Sequence, residues 1–283
     1  MSFVSADLPP GARRTTYDVP GGPLAGVELL PGGEPYGTVL LVPGFSGSKE
    51  DFGPLLPELA AGGWRVVALD QRGQHESPGP DDPAAYTVEA LASDVLAVAD
   101  GLGTPLHLLG HSFGGLVTRA AVLRRPDAFR SLVLLGSGPQ ALTGPRVDVL
   151  PFLPGVIESG GMAAVADASE AMSPTDNLGQ PVPDAVKAFL RIRWTTSSPV
   201  GLIAMGDALC TEPDRVDALR ATGVPVLVAH GALDDAWLPP VQADMAERLG
   251  AAYEVVPGAA HSPNAEQPEA TAKALLAFWD QLT

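Results

Sequence analysis

A series of short, continuous apolar runs constrains the fold of this chain more than any other feature. They read GTVLLVPG from Gly37, WRVVALD from Trp64, LHLLGHS from Leu106, SLVLLGSG from Ser131, PVLVAHG from Pro225 and YEVVPG from Tyr253. Runs that do not alternate with polar residues suit strands covered on both faces, as in a parallel sheet. Helix-like segments lie between and after them. DFGPLLPELAAGG ends in glycines that suit a helix C-terminus, and YTVEALASDVLAVADGLG carries Val88, Leu91, Val95 and Val98 at helical spacing. PPVQADMAERLG and PEATAKALLAFWDQL continue the pattern. Right-handed crossovers between such elements build an open, mostly parallel sheet with helices on both faces, an α/β fold.

One interval breaks the rhythm. Residues 140–222 hold no convincing buried strand, only Pro/Gly breaks and amphipathic pieces such as VKAFLRIRWTT. A structureless loop of that length does not suit a compact domain, so the interval is read as a helical insertion capping the sheet's edge. The expected organisation is a core of residues 1–139 and 223–283 with a cap, or lid, of residues 140–222. No internal repeat is visible, and the first dozen residues are expected to be poorly ordered.

Charge narrows the partners. With 17 basic and 33 acidic residues the formal charge is −16, and the only lysines are Lys49, Lys187 and Lys273. No basic stripe exists to neutralise phosphates, so nucleic acid and anionic membrane surfaces are excluded as partners. The same field repels strongly anionic substrates, although a local arginine can hold a single carboxylate. A small, largely neutral molecule is the expected substrate. Cys210 is the only cysteine, which rules out an internal disulfide and metal ligation by cysteine clusters. The N-terminal stretch lacks the long apolar region of a signal peptide, and no segment approaches a membrane span. The expectation is a soluble, cytoplasmic protein of open oligomeric state.

The stretch HLLGHSFGGLVTRAAVLRRP places Ser112 between Gly110 and Gly114, where an apolar run gives way to a helical pattern. A serine presented above the C-terminal edge of a sheet sits on a tight strand-to-helix turn with strained dihedrals. Bulky neighbours two residues to either side would collide, and the two glycines remove that collision. The helix that follows aims its N-terminal amides at the place where negative charge would form, and Pro126 should stop it near Arg125. A lone hydroxyl is a feeble nucleophile and needs a base, itself oriented by a carboxylate.

Five histidines are available. His107 and His230 lie inside strand-like runs, and His111, beside the serine, is expected to point away from it. All three are read as structural. His75 and His261 remain, and His261 is the better base because it follows the last strand-like run in EVVPGAAHSPNAEQPEA. AHGALDDAWLPP supplies the acid just past another strand; Asp234 is preferred, with Asp235 as the alternative. Ser112, Asp234 and His261 stand in the chain order of a serine triad on an α/β sheet. In LVPGFSGSKEDF, Gly44 and Phe45 follow a strand, so the N–H of Phe45 can face that of Phe113 as an oxyanion hole.

With these residues in place the chain resembles the α/β-hydrolase superfamily, in particular its capped esterase, perhydrolase (cofactor-free haloperoxidase) and C–C hydrolase branches. VPGFSGS, VVALDQRGQHES, GHSFGG, HGALDDAWLP and PGAAHSPNAEQPEA fall in family order and cover nearly the whole chain. The resemblance implies nucleophile Ser112, acid Asp234, base His261, oxyanion donors Phe45 and Phe113, and a lid over residues 140–222. Two positions depart from the pattern. Pro43-Gly44 replaces the usual His-Gly and removes a side chain that braces the oxyanion loop. His75 stands where glycine is common and is read as a solvated loop residue, with reshaping of the loop or approach to the pocket as alternatives. Serine rather than aspartate at position 112 argues against dehalogenase or epoxide hydrolase chemistry.

The implied activity is hydrolysis of a carboxylic ester, lactone or thioester through an acyl-enzyme, with no metal or organic cofactor required. C–C bond hydrolysis and perhydrolysis use the same residues, and a non-catalytic ligand receptor is the alternative from another class. Within the insertion, Phe152, Phe189 and Trp194 are candidates for an acyl pocket but suit a core as well. Arg191 and Arg193 are read as solvated, with a hold on a substrate carboxylate as the alternative.

Overall fold

The computed structural model describes residues 7–282. Its sheet has eight strands in the order β1-β2-β4-β3-β5-β6-β7-β8. The six apolar runs become β3 (Thr38–Val42), β4 (Arg65–Leu69), β5 (Leu106–His111), β6 (Phe129–Leu135), β7 (Val226–Gly231) and β8 (Ala252–Val256), all parallel. β1 (Arg13–Val19) and β2 (Gly22–Leu29) form a hairpin that joins β4 antiparallel. Apolar runs do not reveal it, because RRTTYDV in β1 is largely solvent-facing edge strand.

Helices α1 (Leu55–Ala61), α2 (Val88–Leu102), α3 (Phe113–Arg124), α8 (Pro239–Leu249) and α10 (Pro268–Asp280) flank the sheet. Two apolar layers result. Leu40, Val67, Leu108 and Leu134 meet α2, α3 and α8 on one face, whereas Val39, Val66, Leu109 and Val133 meet α1 and α10 on the other. Alternate residues of one strand thus enter opposite cores, which is why these strands are apolar throughout. Residues 1–6, half of the first dozen expected to be poorly ordered, lie outside the described residues. Leu8 and Ala12 already pack against the α1/α10 layer.

Between β6 and β7 the chain is helical, with α4 (Leu153–Met172), α5 (Asp184–Thr196), α6 (Pro199–Thr211) and α7 (Val216–Ala221). α4 is kinked at Gly160 and Gly161. α7 contributes Val216 and Leu219 to the main core, against α3 and α8. Arg119 of α3, buried among them, donates to the carbonyls of Gly138, Pro139 and Pro213 and to the Glu212 carboxylate. One side chain on α3 therefore holds both ends of the helical excursion.

Candidate active site

β5 delivers Ser112 to α3 through a turn in which the serine has φ 54° and ψ −122°. A Cβ on Gly110 would lie 2.3 Å from the Gly114 carbonyl oxygen, and one on Gly114 2.4 Å from that of Val42. Backbone cannot yield by that much, so both positions require glycine. α3 ends at Arg124, one residue before the arginine that precedes Pro126.

Three strand ends then meet. Asp234 follows β7, and His261 lies between β8 and the short helix α9 (Pro263–Glu266). Ala232 N–H donates to the Val256 carbonyl (3.0 Å) and Leu233 N–H to that of Ala259 (2.9 Å), zipping the two loops together. His261 Nδ1 donates to Asp234 Oδ1 at 2.9 Å, and His261 Nε2 accepts from Ser112 Oγ at 3.0 Å. Serine, imidazole and carboxylate from three distant parts of the chain thus form one unbroken hydrogen-bonded relay.

Asp234 is 2% exposed. Burial alone would raise its carboxyl. The bond from His261, the electrostatic pull of that ring, the Ala236 N–H and the Gln242 amide outweigh it, so the group lies below its ordinary value. An ionised Asp234 fixes the proton on His261 Nδ1, which leaves Nε2 free to take the serine's. Asp235 is exposed and pairs with Arg146 instead.

Glu266 is a residue that sequence reasoning missed. Its carboxylate accepts the N–H groups of Ala260 (2.5 Å) and Ser262 (3.3 Å), one on each side of His261. Its only sequence signal is an acid five residues beyond the histidine. His111 pins the same residue from behind, its Nε2 donating to the His261 carbonyl at 2.8 Å. Rather than pointing away, His111 lines the cavity beside the serine. Burial, aided by His261, pushes it down to about 4, so it stays neutral. His107 and His230 are structural as expected, bonded to Ser131 and to Gly231 and Tyr253.

Phe113 opens α3, so its N–H is among the first-turn donors without an intrahelical acceptor. Phe45 lines the same cavity, and a Cβ on Gly44 would lie 3.0 Å from that of Ser112. The missing histidine does not leave this loop unbraced, because Gln71 Nε2 holds the Pro43 carbonyl and Gln74 Nε2 that of Gly44, both at 2.8 Å.

His75 corrects another expectation. It is buried, with φ 43°, Nδ1 3.0 Å from Thr196 Oγ1 and its ring edge-on to Phe189. It reshapes the loop after β4 and ties it to α5. With Glu50 and Glu76 it forms a group of potential metal ligands, but Lys49 Nζ sits 2.9 Å from Glu50, 2.9 Å from Asp70 and 2.8 Å from Glu76. An ammonium already serves those carboxylates.

A cavity of about 190 Å³ opens over Ser112 and His261. Its apolar wall is Phe45, Leu142, Leu209 and Ala236, not the aromatic residues singled out in the insertion. Phe152 is exposed, Phe189 packs with Val182, Val186 and Leu190, and Trp194 faces a separate hollow beside α4. Arg191 is an exposed partner of Asp167, whereas Arg193 is buried on the cavity wall. No helix among the described residues is long and apolar enough to cross a membrane.

A strand-turn-helix serine, a histidine and an acid at neighbouring strand ends, and this sheet order define the α/β-hydrolase class of fold. The chain belongs to the alpha/beta hydrolase family, whose model matches residues 39–274. It is 29% identical over 249 residues to a pimeloyl-[acyl-carrier protein] methyl ester esterase of Neisseria meningitidis, covering 83% of this chain and 90% of that protein. It is 42% identical over 100 residues to "Putative carbamate hydrolase RutD" of Variovorax paradoxus, but that match spans only 35% of this chain and 37% of the relative. A thermophilic esterase from Thermogutta terrifontis superposes with TM-score 0.75 at 24% identity, over 95% of this chain and 99% of that one.

Proposed function

We propose that this hydrolase cleaves carboxylic esters, lactones or thioesters of small to medium size through an acyl-enzyme on Ser112. The observation that carries the reading is the unbroken hydrogen-bonded relay from Ser112 through His261 to buried Asp234 on the floor of a cavity. Ser112 Oγ adds to the carbonyl carbon while its proton passes to His261 Nε2, and Asp234 stabilises the imidazolium. The carbonyl electron pair moves to oxygen, where the N–H groups of Phe45 and Phe113 receive it. Collapse breaks the bond to the leaving oxygen or sulfur, which takes the proton from His261. Water, deprotonated by His261, then releases the acid and restores the serine.

The same reading makes residues 140–222 a cap over the site, with Leu142, Arg146, Asn177, Arg193 and Leu209 as its contribution to the cavity. The residues in the relay call for no metal or organic cofactor. A panel of p-nitrophenyl esters tests the proposal. Wild type should release nitrophenol with saturable kinetics and Ser112→Ala should not; equal turnover by the two would overturn it.

A further inference from the structure

The far wall of the cavity differs in kind from its floor. Arg193 reaches it from α5 and is 6% exposed. A guanidinium carries five N–H groups. Among the described residues only Nη1 makes a hydrogen bond, to Asp51 Oδ1 at 2.6 Å. Nε is buried without a partner, Nη2 bonds to nothing, and the Phe189 ring covers the guanidinium with its centroid 5.7 Å from Cζ. The other Asp51 oxygen, Oδ2, is turned to the Ser48 N–H at 3.1 Å rather than to the guanidinium. Asp51 fixes the guanidinium by one corner and leaves the opposite edge unsatisfied.

A second cation stands on the same wall. Arg146 turns Nε and Nη2 toward exposed Asp235, with Asn177 at 3.5 Å, and among the described residues makes no hydrogen bond through Nη1. A planar guanidinium edge with unused parallel donors matches a carboxylate better than a point charge or an alkyl group does. The formal charge of −16 works against polyanions at long range, which favours a ligand with only one such group.

We propose that Arg193 is a specificity-determining residue and that the substrate is a monoanionic ester, with one carboxylate remote from the scissile bond. Arg193 binds this carboxylate through its free edge, and Arg146 adds a second positive charge. The inference rests on the ester hydrolysis proposed above and deepens it.

The test uses pH-stat hydrolysis by the full chain. Monomethyl succinate, glutarate and adipate are compared with methyl alkanoates of equal length and with their terminal-amide analogues. Acetyl esters of hydroxycarboxylic acids form a parallel series that places the carboxylate in the alcohol half. In one series, the carboxylate ester should exceed its alkyl and amide counterparts by about tenfold or more in kcat/KM. Arg193→Gln should bring that ratio to about one, chiefly through KM, and Arg193→Lys should restore it only in part.

The wild-type ratio is independent of whether any variant folds. Ratios near one in both series, a preference for the amide, or a preference that survives Arg193→Gln would overturn the inference. Undiminished turnover by Ser112→Ala would instead overturn the ester reading itself, so the two failures are separable.

Discussion

The floor and the far wall of the cavity are both buried and both polar, yet they are finished to different degrees. On the floor the relay itself is complete: Asp234 accepts from His261, Ala236 and Gln242, and the main chain beside His261 is held by Glu266 and His111, although His111 Nδ1 and Gln242 Oε1 behind the relay are buried without partners among the described residues. On the far wall it is the cation itself, Arg193 at Nε, that is buried without a partner among the described residues, as is Asn264 Oδ1. A buried polar group left unpaired typically costs about 1–3 kcal/mol, so such groups persist where something else supplies the partner. The comparison separates two tasks. On the proposed reading, the sheet core fixes the geometry of bond cleavage, and the insertion leaves room for recognition.

If the floor works as one unit, its members should fail together. Ser112→Ala and His261→Ala should each lower kcat by about four to six powers of ten, and the double variant should be scarcely worse. Additive losses in steady-state kinetics would break the comparison at its strongest point. Asp234→Asn should keep the fold, preserve the packing and misplace the imidazole proton, lowering kcat by about four powers of ten. Asp235→Asn, at an exposed pair, should change kcat by less than about threefold. A reversed outcome for the two aspartates would assign the acid to the rim.

Glu266→Ala sharpens the comparison further, because that residue holds the main chain on both sides of His261 without belonging to the relay. Its loss should lower kcat about tenfold to a hundredfold with a smaller change in KM. A purely structural role would lower melting temperature and leave kcat of the folded fraction unchanged.

The smallest expected effect is on pH-dependent stability, away from the cavity. Burial, with Arg130 adding to it, pushes His107 down to about 4. The unfolded chain takes up this proton near the ordinary value of 6.5, whereas the native state resists until about 4. Stability is therefore full above about pH 6.5 and falls as pH drops toward about 4, by at most about 1.4 kcal/mol per pH unit for this group. His107→Gln should remove that share of the slope in urea titrations, leaving the share of His111.

Why the floor was legible in sequence and the wall was not follows from how each is built. Ser112, Asp234 and His261 sit just beyond continuous apolar runs, so strand ends locate them without any contact map. Their hydrogen bonds require only that parallel strands share a C-terminal edge. Arg193 meets Asp51 across 142 positions. It falls on the buried face of α5, four residues after Phe189 and seven after Val186, but a charged side chain at such a place in sequence reads as a solvated helix end, and only the fold brings Asp51 to meet it. The braces from Gln71 and Gln74 were hidden for the same reason, being side-chain amides reaching across loops. The hairpin β1-β2 escaped notice because an edge strand has no need of a continuous apolar run.

Serine trapping tests the central claim most directly. The protein is incubated with a fluorophosphonate, digested and mapped by mass spectrometry. The account predicts a single adduct on the peptide containing Ser112, suppressed by ester substrate, absent from Ser112→Ala and formed far more slowly in His261→Ala. An adduct on another residue, or labelling of Ser112 at an unchanged rate without His261, would contradict it.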